Sequence, residues 1–106
     1  MAAQGNVTPI SERVRLVIAL TQINSDHLRS KSRVAGVEIE LEGALAASPP
    51  EARTSQQCLN IEMLRERLHD ANESMRALEE DRARLTAALA EMEAAARRIS
   101  EPGRRT

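Results

Sequence analysis

The chain has 106 residues, 29% of them charged, a net charge of -1, one cysteine and no Phe, Tyr or Trp. The near-cancelling charge excludes a globally steered binder of nucleic acid or anionic membrane, and a single cysteine excludes an intrachain disulfide. Without aromatic side chains, thick globular cores and aromatic-centred binding hot spots are excluded as well; the Leu, Ile, Val, Met and Ala that remain suit thin seams between helices.

Residues 1–8 are small and polar and read as an N-terminal tail. The start, MAAQGNVTP, has neither the basic residues nor the apolar stretch of a secretory signal, and no apolar run approaches the roughly 18 residues that span a bilayer. A cytoplasmic protein that does not enter the membrane is expected. Thr8 and Pro9 form a helix start, since Thr accepts a hydrogen bond from a first-turn amide and Pro has no amide to leave unpaired. Ile10, Val14, Val17, Ile18 and Thr21 then recur at three- and four-residue spacing, one face of an amphipathic helix.

Residues 24–33 are mostly polar and compete for backbone hydrogen bonds, which leaves a kink or a restart there open, with Ser25 as a cap. Val34, Val37, Leu41 and Leu45 return to helical spacing, whereas Val37, Ile39 and Leu41 between Glu38, Glu40 and Glu42 alternate as a strand would. Helix is the better reading, because a lone strand would find no partner elsewhere in the chain. The first helix is therefore placed at 9–47. A turn follows at 48–54, where Ser48-Pro49-Pro50 breaks helical geometry. Ser48 and Glu51 have capping-box spacing, and Thr54 or Ser55 are alternative starts for the next helix.

Residues 55–100 read as a long coiled-coil helix, stopped by Pro102 and Gly103 ahead of a basic tail at 101–106. Counting by sevens places Ile61, Leu68, Met75, Arg82, Leu89 and Ala96 at one seam position and Leu64, Ala71, Leu78, Leu85, Met92 and Ile99 at the other. Every one of them but Arg82 is apolar, and such a repeat keeps one stripe against a neighbouring helix as both supercoil. Arg82 is expected to reach past an Ala-lined stretch to solvent or to Glu79. Folding back at the two prolines pairs Leu41 with the region of Ile61, and Val34 with that of Leu68. Two helices bury only one face each, so hairpins are expected to associate further. The alanines at 83, 87, 88, 90, 94, 95 and 96 would let backbones approach closely.

Chemistry is sparse. Glu66 and His69 stand at the Glu-x-x-His spacing of half a di-iron site, but no second pair exists, and His27 with His69 lacks a third zinc ligand. Asp70 and Glu73 alone do not make the stacked carboxylate pairs that hold magnesium. Cys58, next to Leu59 and near Ile61, reads as a small buried hydrophobe. The glycines form no phosphate loop, and stacking on nucleic-acid bases has no aromatic platform. No catalytic residue, metal or cofactor is expected. One cluster stands out: Arg29, Lys31 and Arg33, with Ser30 and Ser32 between them, would lie near Arg65, Arg67 and His69 in the hairpin, a candidate anion-binding belt unless Glu62, Glu66 and Asp70 neutralise it.

The Ser48-Pro49-Pro50 bend between two helices is similar in outline to the helical hairpins of small proteins secreted by ESX-type systems. Their Trp-x-Gly turn has no counterpart here, so no family is assigned. The expectation is an all-α, antiparallel helical hairpin with a long C-terminal coiled-coil helix, oligomerising into a helical bundle. It would act without catalysis, as an adaptor, chaperone or inhibitor. Its partners would be itself, as a dimer or higher, and another protein, through Val14, Val17 and Ile18 and the seam on the second helix. The alternative is a binder of a phosphorylated small ligand or nucleotide at the basic belt; a membrane or nucleic-acid partner is not expected.

Overall fold

The computed structural model describes residues 9–100, with side chains from residue 11 to 99. The expected N-terminal tail with the Thr8 cap, the side chain of Ile10, and the Pro102-Gly103 stop with its basic tail lie outside the described residues. The chain is all-α: helix α1 spans Pro9–Ala47, a short 3-10 helix spans Pro50–Ala52, and helix α2 spans Ser55–Ser100. Among the described residues there is no strand, so the alternation of Val37, Ile39 and Leu41 resolves as helix. Val37 is buried, Leu41 half-buried and Ile39 70% exposed, the unequal burial that a 100°-per-residue turn produces and a pleated strand does not.

Helix α1 runs unbroken through residues 24–33, where a kink or restart was left open. Its polar residues are accommodated in two ways. Most face water, Arg29 pairing with Asp26 one turn earlier at 3.2 Å, while His27 and Ser30 sit on the inner side. Just before this stretch, the Thr21 hydroxyl donates to the Val17 carbonyl at 2.9 Å, satisfying itself within the helix.

The turn is built from a few side chains. Ser48 cannot continue α1 because Pro49 follows it, and Pro49 takes an extended conformation with ψ 156°. The carbonyls ending α1 have no amide partners, and its last turn contains no basic residue. Arg53 supplies the missing donors: Nε donates to the Ser48 carbonyl at 3.2 Å and Nη2 to the Leu45 carbonyl at 3.3 Å. A cation there also complements the negative end of the helix dipole. Helix α2 opens with a capping box at Thr54 and Gln57. The Gln57 amide donates to Thr54 Oγ1 at 3.1 Å, and the Thr54 amide donates to Gln57 Oε1 at 2.8 Å. Of the starts left open by sequence, the hydrogen bonds select Thr54 as the cap.

The chain divides into two compact units. One is Asp26–Glu79, containing the turn; the other joins Met1–Ser25 and Glu80–Thr106, of which residues 9–25 and 80–100 are described. Among the described residues, those most deeply buried belong to Asp26–Glu79: Ser30, Val34 and Val37 from α1, and Ile61, Leu64 and Ala71 from α2. Each buried aliphatic side chain of this kind contributes about 1.5–3 kcal/mol relative to exposure. In this unit Glu40 lies 3.9 Å from Arg67, and His27 Nε2 lies 3.0 Å from Glu79 Oε2. Moving back along α1 thus moves forward along α2. The pairing is displaced by about one helical turn from the one expected, which set Leu41 near Ile61 and Val34 near Leu68. Matching apolar residues alone misplaced it, because two seam residues of α1, His27 and Ser30, are polar.

In the other unit no side chain is fully buried. Leu16, Leu20 and Ile23 of α1 and Leu85, Leu89 and Met92 of α2 are half-buried, and Arg13 Nη2 meets Glu93 Oε2 at 3.1 Å.

Candidate interaction surfaces

Each helix has an inner side set by its heptads. On α2, within Asp26–Glu79, Ile61, Leu64 and Ala71 are buried and Leu68, Met75 and Leu78 half-buried; within the other unit, Leu85, Leu89 and Met92 are half-buried. Three residues counted into that stripe, Arg82, Ala96 and Ile99, are exposed, and beside Arg82 it is Asp81, paired with Arg84, that is half-buried. Long cationic side chains leave a seam for water wherever the neighbouring residues are small enough to pass. Of the alanines grouped near the end of α2, only Ala94 and Ala95 are partly covered.

Sequence reasoning found part of the inner side of α1, Val34, Val37 and Leu41, and missed the rest. It consists of Leu16, Leu20 and Ile23 in one unit, and of His27, Ser30, Val34, Val37, Leu41 and Ala44 in the other, spaced alternately by four and three residues and all buried or half-buried. Counting by sevens while tolerating His27 and Ser30 would have found it. The face named for a partner or a second copy, Val14, Val17 and Ile18, is exposed, Ile18 to 63%. Leu28 and Ile39 of α1 and Leu59 and Met63 of α2 are exposed in the other unit. A large aliphatic side chain left in water is ordinary when single; groups of them on one helix face mark contact surfaces.

Within Asp26–Glu79 the two halves of the basic belt are offset along the helices from the alignment expected. Arg29, Lys31, Arg33, Arg65, Arg67 and His69 are all exposed. Arg67 lies opposite Glu40, which places Arg65, Arg67 and His69 alongside the acidic run of Glu38, Glu40 and Glu42. Arg33, the nearest of the first trio, is seven residues of helix away from Glu40, about 10 Å along the axis. Arg29 is held by Asp26 instead. The displaced pairing is the cause: one turn of shift carries the second trio off the first.

Cys58 is exposed, not buried. It follows Gln57 and precedes Ile61, the two covered positions, and so faces outward at the first turn of α2. Among the described residues no three His, Cys, Asp or Glu side chains are grouped so as to hold a metal ion, and no helix is long and apolar enough to cross a membrane. The buried polar atoms among these residues all have partners. No protein-family model, no curated protein and no solved structure matches the chain.

Proposed function

We propose that the chain is a non-catalytic interaction protein, a helical hairpin that self-associates into a bundle and serves a partner protein as adaptor, chaperone or inhibitor. The observation that carries this reading is the exposed aliphatic face of α1 at Val14, Val17 and Ile18, opposite in character to the charged surface expected of a self-sufficient helix. Three such side chains at three- and four-residue spacing form the anchors of a helix-in-groove contact. Aliphatic seams of this kind bind other helices, whose side chains are of matching size, better than they bind small polar molecules.

Sedimentation velocity tests it. The wild-type chain is expected to run above its monomer mass of 11.7 kDa. Replacing Val14 and Ile18 with Glu should lower that mass while leaving the helical circular dichroism intact, since both side chains are exposed. A wild-type monomer at micromolar concentration, or a double variant of unchanged mass, would refute this face as a contact surface.

A further inference from the structure

The middle of α1 carries a second outward face, within Asp26–Glu79, that the reading above does not use. Leu28, Ser32, Ala35 and Ile39 follow one another at spacings of four, three and four, on the side of the helix opposite Val34 and Val37. All four are exposed, Leu28 to 66% and Ile39 to 70%. Beside them Gly36 is exposed too, and a Cβ built on it would meet nothing within 4 Å. The centre of the face is thus small side chains and bare backbone, and its ends are large aliphatic groups.

The charges along the same stretch are opposite in its two halves. Arg29, Lys31 and Arg33 precede Ala35, and Glu38, Glu40 and Glu42 follow Gly36. Turning a second copy end for end and laying it on the first brings each basic half against an acidic half, twice over. A parallel arrangement would set like against like.

We propose that this face binds a second copy of the same chain, α1 against α1 in antiparallel fashion about a two-fold axis near Arg33 and Val34. Leu28 of one copy packs beside Ile39 of the other, and Ser32 beside Ala35, with both contacts repeated by the symmetry. Lys31 faces the second copy's Glu38, and Arg29 and Arg33 lie toward its acidic half. This is a self-complementary contact of the kind that closes after two copies. The small central residues allow the two backbones to come close. The two ion pairs already present on the stretch, Arg29 with Asp26 and Glu40 with Arg67, join exposed side chains and compete weakly. The proposal rests on the self-association read above and adds to the Val14–Ile18 face a second contact, with its orientation.

Complementary charge reversal provides the test. One variant carries Arg29→Glu, Lys31→Glu and Arg33→Glu; the other carries Glu38→Lys, Glu40→Lys and Glu42→Lys. Each alone should self-associate about tenfold or more weakly, because like charges then face each other. Mixing the two should restore association as a heterodimer. Independently, in a Cys58→Ser background, Leu28→Cys and Ile39→Cys chains should form a disulfide-linked pair when mixed under oxidation, and neither should when alone. Triple variants that associate like wild type, or cross-links between identical positions, would overturn the antiparallel contact. If Val14 and Ile18 substitutions still dissociate the chain in that case, self-association stands and only this face is wrong. A monomeric wild type would remove both.

Discussion

Thr54 lies just outside the helix it starts, and its hydroxyl accepts from the Gln57 amide in the first turn of α2 while its own amide donates to the Gln57 side chain. Thr54→Ala removes one of those acceptors and should cost about 1 kcal/mol of stability, read as a lower urea midpoint with an unchanged slope. Thr54→Ser should restore most of it. The cap was only partly legible in the sequence: Thr-x-x-Gln and Ser-x-x-Glu both fit the spacing, and nothing in the sequence ranks them. What decides is Ser48, which precedes a proline and is drawn into the turn, where its hydroxyl receives the Gln57 side-chain amide at 3.2 Å. Arg53 was not legible at all. A guanidinium reaching back eight residues to the Leu45 carbonyl leaves no trace in composition or periodicity. Cys58 misled for a related reason, since its apolar neighbours in sequence lie on different sides of the helix.

At the scale of the helices, burial separates residues that are alike in sequence. Ile61 is 4% exposed and Ile39 is 70% exposed. Ile61→Ala should destabilise the fold by about 2–5 kcal/mol through lost burial and the cavity left behind, whereas Ile39→Ala should change monomer stability by no more than about 0.5 kcal/mol. Chemical denaturation at a concentration below self-association checks both, and a comparable loss at the two sites would contradict the assigned faces. The helical class and the apolar stripe of α2 could be read from spacing, because nearly every residue in that stripe is aliphatic. The inner side of α1 could be read only at Val34, Val37 and Leu41, because His27 and Ser30 interrupt it while Val14, Ile18, Leu28 and Ile39 are outside. Where one helix carries two apolar faces, periodicity finds both and cannot say which one meets the other helix. Charge and polar partners supply that answer, and they depend on alignment.

At the scale of the molecule, the buried residues among those described are concentrated in Asp26–Glu79. Amide hydrogen exchange should therefore be slowest at residues 30–37 and 61–71, approaching the global unfolding rate there. Protection spread evenly along both helices would contradict this placing of the core. The basic belt illustrates what alignment adds to its parts: a shift of one turn offsets its two halves from the positions expected. A row of aliphatic groups repeated every seven residues is indifferent to sliding by seven. The imidazole of His27 is not, since sliding one heptad would take it from Glu79 to Asn72 and exchange a carboxylate for a neutral amide. Within Asp26–Glu79 one polar rung thereby adds to the short connection at 48–54 in favouring a single alignment of otherwise interchangeable hydrocarbon.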